Sequence, residues 1–197
     1  MPRYFLINKP YDMLSQFTRE VPGHRVLGDL HAFPSDVYPV GRLDRDSEGL
    51  LLLTNDKRIN EALLHPSRKH PRSYWVQVEG VPTDQAFNEL RKGVTIRIKG
   101  KNHHCAPVAP RLLHEAEYRP IPDRDPPVRF RKSVPDTWLE LQLTEGKNRQ
   151  VRRMCAAVGF PVLRLLRVAI EDLQLSDVGA GSVREVKRDW LLPKIGL

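Results

Sequence analysis

The chain has 197 residues and is basic, with 32 Lys and Arg against 24 Asp and Glu, a formal net charge of +8 and a pI near 9.7. Hydrophobic residues make up 40% and charged residues 28%, which excludes a fibrous or wholly disordered chain and predicts a soluble globular protein. The longest apolar run, around residues 50–53, is far shorter than the roughly 20 residues of a transmembrane helix, so membrane spanning is excluded.

The N-terminus and the two cysteines indicate the compartment. Residues 1–8 begin as a strand and carry no secretory signal, so export is not expected. Cys105 and Cys155 form no CxxC pair, which predicts neither a disulfide framework nor a zinc knuckle and favours a reducing cytoplasm. The excess of positive charge favours a polyanionic partner, nucleic acid first, with a solvated basic surface as the alternative.

Hydrophobic patterns in the first half of the chain predict short strands separated by single helices. In chain order these are a strand at 3–8, apolar segments at 38–44 and 50–54, a helix capped by Asn55 or Asp56 that runs to His65, a strand at 73–79, a helix from Thr83 to Gly93 and a strand at 94–98.

The second half begins with an insertion at 107–135, which holds 7 of the 17 prolines and several arginines, so we expect irregular structure there. A strand at 138–144 follows, and then a helix after Gly146 whose apolar stripe ends near Gly159. Further strands are expected at 162–170 and 183–186. Strands with one covered face, punctuated by single helices, predict an α+β fold with mainly antiparallel pairing.

The first segment that could carry chemistry is the charged loop of GRLDRDSEGLLLLTND, residues 41–56. Asp44 stands at the end of an apolar segment with Arg42 and Arg45 beside it. A neighbouring guanidinium could hold its carboxylate ionised as a nucleophile or base. The alternative is a surface loop of weak ion pairs.

The second segment is EGKNRQVRRMCAAVGFPVLRLLR, residues 145–167, with 6 basic residues against 1 acid. On a helix centred on Val151, Arg149 and Arg153 lie opposite the apolar stripe, where they could meet phosphate. Arg152 lies at the edge of the stripe, where an arginine tends to pair with a carboxylate. Asp44 is one candidate partner, and a surface salt bridge with Glu145 is the alternative.

Metal and nucleotide chemistry are not favoured by the remaining motifs. His103, His104 and Cys105 are adjacent, but no fourth ligand follows at zinc-like spacing. The acids of the 41–56 loop could bind magnesium in a nuclease, although flanking arginines oppose a cation there. No phosphate-binding glycine loop, dinucleotide fingerprint or nucleophile elbow is present.

The loop GRLDRDSEGLLLLTND resembles the catalytic motif of bacterial ribosomal RNA pseudouridine synthases of the RsuA type. LINKPYDMLSQFT, RSYWVQVEG and the segment at 145–167 resemble that family's other motifs in the same order, over nearly the whole chain. The opening motif starts within the first few residues, so no S4 RNA-binding domain is expected. With the QFT ending and the insertion, this makes the chain most similar to the branch that acts on large-subunit (23S) ribosomal RNA.

The resemblance implies a pseudouridine synthase fold, with a cleft across a mixed, mainly antiparallel sheet, and isomerisation of one uridine to pseudouridine without a cofactor or metal. It implies that Asp44 is the catalytic aspartate, Tyr74 the active-site tyrosine, Arg152 the basic partner of the aspartate and Leu166 the apolar residue under the base. Tyr74 would serve as a stacking wall and general base, and an ordinary core tyrosine is the alternative. The expected RNA-binding residues are Arg42, Lys147, Arg149, Arg153 and Arg167.

These expectations describe a monomeric cytoplasmic enzyme whose partner is large-subunit ribosomal RNA and not a membrane. Residues 1–60 are expected to form one lobe of the catalytic domain, and residues 61–197 the other. Two rival functions are a non-catalytic RNA-binding or ribosome-assembly factor of the same fold and a metal-dependent nuclease.

Overall fold

The computed structural model describes residues 1–129, 133–179 and 182–197. Its contacts divide the chain into two compact units. Unit 1 consists of Met1–Arg72 with Leu166–Leu197, and unit 2 is Ser73–Leu165. Compact units are not catalytic lobes, so the lobe boundary near residue 60 stays a prediction. In the described ranges, every helix is too short or too polar to cross a bilayer.

The elements that the sequence patterns predict appear in that order, together with further elements that the patterns do not predict. The helices within the described ranges are α1 (Lys57–Leu64), α2 (Asp84–Lys92), α3 (Glu115–Tyr118), α4 (Gln150–Ala157) and α5 (Arg188–Lys194). The strands in the same ranges are β1 (Tyr4–Lys9), β2 (Tyr38–Pro39), β3 (Glu48–Thr54), β4 (Arg72–Glu79), β5 (Thr95–Ile98), β6 (Lys101–His104), β7 (Arg111–Leu112), β8 (Asp136–Leu143), β9 (Val162–Ile170), β10 (Leu173–Gln174) and β11 (Val183–Val186).

Unit 1 is built on strands from both ends of the chain. Strand β1 lies between β11 and β3 and pairs antiparallel with both. Strand β3 pairs parallel with β9, where Glu48 lies opposite Leu166 and Gly49 opposite Arg167. Every residue of β3 is buried, and its apolar run at 50–53 is typical of a strand that is covered on both faces. With antiparallel pairs in both units, the predicted α+β fold with a mixed, mainly antiparallel sheet is confirmed.

Local sequence signals explain where the helices begin and end. The carboxylate of Asp56 accepts from the amide of Arg58 and caps α1. The hydroxyl of Thr83 accepts from the amide of Ala86 in the same way at α2. Gly93 then ends α2 with a φ of +85°, a conformation that favours glycine.

Unit 2 packs α2 and α4 on one face of β4 and β8. Its core holds alternate residues of both strands, including Val76 and Val78 of β4. Leu90 of α2 and Met154 of α4 belong to the same core. Strands β5 and β6 form a separate antiparallel pair.

The structure differs from the predictions in the insertion and at the start of α4. The insertion at 107–135 contains the short β7, which pairs with β8, and the single turn α3, while residues 130–132 lie outside the described residues. Helix α4 begins at Gln150, because Arg149 has a left-handed φ of 50°. The expectation that Arg149 lies on a helical face is therefore wrong, since helical spacing does not apply to it.

Gly49 is the residue that lets β3 and β9 approach each other. Its φ is +104°, and an added Cβ would lie 2.3 Å from the carbonyl oxygen and 2.8 Å from the amide nitrogen of Arg167. Those atoms are backbone atoms of the paired strand and cannot rotate away. The position thus requires glycine for two reasons, its dihedral angle and its space.

We expect Gly49→Ala to lower the free energy of unfolding by about 3 to 5 kcal/mol, because β9 must move away from β3. Gly100→Ala is the matched control. Gly100 has a φ of +81° with no atom within 4 Å of an added Cβ, so it carries the dihedral strain alone. Its expected loss is about 1 kcal/mol. Urea unfolding of both variants measures the difference, and equal losses would contradict the steric explanation.

Candidate active site and nucleic-acid interface

The residue before Asp44 is held by a buried hydroxyl. The Oγ of Ser15, with 4% of the residue exposed, donates to the carbonyl oxygen of Leu43 at 2.8 Å and accepts from its amide at 3.1 Å. The carbonyl oxygen of Asp44 then accepts from the amide of Ser47 at 3.0 Å and closes a turn. Asp44 is thereby fixed at its backbone while its side chain stays half-buried.

The fully buried ammonium of Lys9 also contacts the backbone of this loop. Its Nζ donates to the carbonyl oxygens of Pro10 at 2.9 Å and Met13 at 2.8 Å, and lies 3.4 Å from that of Arg45. Burial lowers the pKa of Lys9 to about 8, although the negative charges of Glu48, Asp46 and Asp44 act in the opposite direction. Sequence reasoning missed both Lys9 and Ser15.

The two arginines beside Asp44 are exposed. The guanidinium of Arg45 pairs with Asp12, contacts the ring of His24, and holds the pKa of the Asp12 carboxyl below its usual value. Arg42 lies in the same loop, one residue after Gly41, whose φ is +71°. Arg45 is already paired with a carboxylate.

Leu166 and Arg167 lie in β9 beside the first residues of β3 and are almost completely buried. The Nε of Arg167 donates to the carbonyl oxygen of Leu50 at 2.8 Å. Unit 1 thus brings Leu166 and Arg167 next to Glu48 and Gly49, which directly follow the Asp44 loop.

Tyr74 lies on β4 in unit 2 and is half-buried against the apolar core. It shares a face with Val76 and Val78, which are fully buried. The expectation that Tyr74 projects toward the covered side of the strand is confirmed. Its role in a reaction stays a prediction.

Two arginines of α4 contact backbone or amide oxygens. Nη1 of Arg152 lies 3.4 Å from the carbonyl oxygen of Val162. Arg153 donates through Nη1 to the carbonyl oxygen of Arg97 and through Nη2 to the side-chain oxygen of Asn148 at 3.3 Å. Both arginines are half-buried, as is Arg149, whereas Lys147 is exposed in the loop before the helix.

Lys9 predicts a pH dependence of stability. Because its pKa is lower in the folded than in the unfolded chain, the unfolded state holds more protons between about pH 8 and 10.5. The contribution of Lys9 to stability therefore rises with pH through this window. Relative to Lys9→Met, we expect the wild-type free energy of unfolding to increase by about 3 kcal/mol from pH 7 to 11.

Urea unfolding over that pH range measures the change, with the exposed Lys57 as the control position. The difference between the wild type and Lys57→Met gives the baseline for replacing an exposed lysine. A constant difference for Lys9→Met would contradict the lowered pKa.

Comparisons with known proteins bear on the resemblance seen in the sequence. The family model described as RNA pseudouridylate synthase matches residues 3–157. A Xanthomonas axonopodis pv. citri protein named ribosomal large subunit pseudouridine synthase E is 53% identical over 171 residues, which cover 86% of this chain and 86% of the relative. A protein of the same name from Vibrio parahaemolyticus is 44% identical, covering 94% of this chain and 74% of the relative.

A solved structure supports the fold independently. The crystal structure of a pseudouridylate synthase matches 99% of this chain and 74% of its own with a TM-score of 0.77, at 23% sequence identity. At that identity the match concerns the fold alone. Together with the matched family model and the close relatives, it confirms the resemblance: the chain belongs to the RNA pseudouridylate synthase family.

Proposed function

We propose that this enzyme isomerises one uridine of large-subunit ribosomal RNA to pseudouridine. The observation that carries the substrate class is the 53% identity to a relative named for large-subunit RNA, over most of both chains. The net charge of +8 supports a polyanionic substrate. A cytoplasmic, monomeric enzyme stays a prediction.

We propose Asp44 as the nucleophile. The reaction breaks the bond between N1 of uracil and the ribose, rotates the base and joins C5 to the same sugar carbon. The proton leaves C5 and N1 ends protonated, so the product is an isomer of the substrate. A carboxylate can start this reaction by nucleophilic attack on the sugar or on the base. The rigid support from Ser15 and Lys9 favours Asp44 for this role, because a nucleophile must be held in place.

Tyr74, Arg152 and Leu166 complete the proposed catalytic set. A tyrosine on a covered strand face can stack on a base and accept a proton. Arg152 is the basic residue that the resemblance assigns to the aspartate, and a guanidinium can orient a carboxylate by charge-assisted hydrogen bonds. The buried Leu166 offers an apolar surface for the flat base.

We propose that Arg42, Lys147, Arg149 and Arg153 bind phosphates while the target nucleotide is flipped out of its stack. Arg42 and Lys147 are exposed, and the other two are half-buried. The resemblance implies that Arg167 also binds RNA. With 4% exposure and its Nε on the carbonyl of Leu50, it fits a supporting role better than direct phosphate contact.

We expect Asp44→Asn to lower the rate of pseudouridine formation by more than about a thousandfold, because the amide keeps the shape but loses the nucleophilic charge. Pseudouridine mapping of ribosomal RNA from cells carrying each variant measures this and names the modified site. Asp46→Asn, in the same loop, is the control and should retain the modification.

An unchanged map in Asp44→Asn would remove Asp44 as the nucleophile and favour the non-catalytic RNA-binding factor. Loss of activity on treatment with a chelator, with cleaved RNA as the product, would favour the nuclease instead.

We expect Lys147→Ala to weaken RNA binding and to reduce the slope of log K against log salt by about 0.7 to 0.9, the value for one lost phosphate contact. Single-turnover rates at saturating RNA should change little. Lys57→Ala, an exposed lysine on α1, is the control. An unchanged slope in Lys147→Ala would contradict the phosphate contact.

A further inference from the structure

Three side chains of different chemistry meet beside α4 in unit 2. A ring nitrogen of His103, the sulfur of Cys105 and a carboxylate oxygen of Glu145 all lie within 4.8 Å of one another. Cys105 is fully buried, and the other two residues are half-buried. None of the three belongs to the proposed catalytic or RNA-binding set.

The local fold explains this meeting. Residues 103 and 105 alternate along β6 and its continuation, so their side chains point to the same side, while His104 between them points to the other. Backbone pairing extends to the cysteine, whose amide donates to the carbonyl oxygen of Val94 at 2.9 Å. Glu145 comes from the loop between β8 and α4.

The carboxylate of Glu145 is oriented by two donors on one of its oxygens. Oε2 accepts from the amide of Ala106 at 3.0 Å and from Nε2 of Gln150 at 2.7 Å. Oε1 instead faces Nε2 of His103 at 3.4 Å. Carboxylates held in this way by neighbouring hydrogen bonds are typical of metal ligands.

The contact of the histidine nitrogen is longer than those on the other carboxylate oxygen. Nε2 of His103 is buried, and its 3.4 Å approach to Oε1 of Glu145 is not a well-formed hydrogen bond. An ion pair of His103 and Glu145 accounts for those two residues, and Cys105 packs in the apolar core with its sulfur within hydrogen-bond reach of Gln150. A cation that accepts nitrogen, sulfur and oxygen accounts for the meeting of all three side chains with one ligand.

We propose that His103, Cys105 and Glu145 bind a divalent transition-metal ion of the zinc type, with a water molecule as the fourth ligand. Imidazole, thiolate and carboxylate are the ligands that zinc takes in proteins. Zinc bond lengths of about 2.0 to 2.3 Å in a tetrahedron place the ligand atoms about 3.3 to 3.8 Å apart. The separations here are at most 4.8 Å, so small side-chain rotations would close the site.

The ion would stabilise the start of α4. It joins the β5–β6 pair to Glu145, and Glu145 is bonded to Gln150, the first residue of the helix. Oε1 of Gln150 also accepts from the amide of Lys147 at 2.9 Å. The role of the metal is therefore structural, and it acts on the backbone that carries the basic residues.

Cobalt titration of the tag-free, chelator-treated full chain tests the site. We expect one Co²⁺ per chain, with an absorption from thiolate-to-cobalt charge transfer that added Zn²⁺ removes. Cys105→Ser should abolish this absorption, and His103→Gln or Glu145→Gln should weaken binding at least tenfold. Cys155→Ser, at the other buried cysteine, and His104→Gln, at the neighbouring histidine, are the matched controls and should bind normally.

Thermal unfolding provides the second measurement. Zn²⁺ should raise the Tm of the wild type and of both controls, but not that of Cys105→Ser. Absence of the charge-transfer absorption in the wild type would overturn the proposal, whether or not the variants fold. So would its survival in Cys105→Ser or its loss in Cys155→Ser. Pseudouridine formation is not the readout, so the outcome is independent of the proposed reaction.

Discussion

Unit 1 depends on the close approach of β3 and β9 at a single glycine. β3 enters the core directly after the loop that carries Asp44, and β9 carries Leu166 and Arg167. Because Gly49 has no side chain, its backbone approaches the backbone of Arg167 more closely than any other residue would permit. The parallel pair then fixes the register in which Leu166 lies opposite Glu48. A small steric constraint thereby places two distant segments of the sequence side by side.

Once the strands are in place, the loop before them is held by polar groups that are themselves buried. The ammonium of Lys9 donates hydrogen bonds to backbone carbonyl oxygens. The hydroxyl of Ser15 bonds to both the amide and the carbonyl oxygen of Leu43. Burying an ammonium is unfavourable, as the lowered pKa of Lys9 shows, and the carbonyl oxygens offset part of that cost. The free-energy cost of burying Lys9 accompanies the ordering of a charged loop, and a site that must orient a carboxylate requires such ordering.

The sequence predicted most elements because their signals are local. Alternation located β4 and β8, and Thr83 with Gly93 located α2. What it did not reveal depends on distant parts of the chain. The pairing of β11 with β1, the hydroxyl of Ser15 on Leu43, and Glu145 beside His103 and Cys105 each join segments that no spacing rule connects. The sequence pattern predicts that α4 begins after Gly146, whereas it begins at Gln150, because no local residue pattern indicates the left-handed conformation of Arg149.

The basic residues of this chain are not equivalent, although each counts the same in the net charge. The guanidinium of Arg111, in the insertion, lies between the carboxylates of Glu117 and Glu140, so most of its charge is neutralised. Arg153 is instead held by a carbonyl and an amide oxygen, acceptors that order a guanidinium and leave its charge intact. A phosphate would gain more from Arg153, because that residue is already ordered and still fully charged. The attraction for RNA is therefore expected to be concentrated around α4 rather than spread over the prolines and arginines of the insertion.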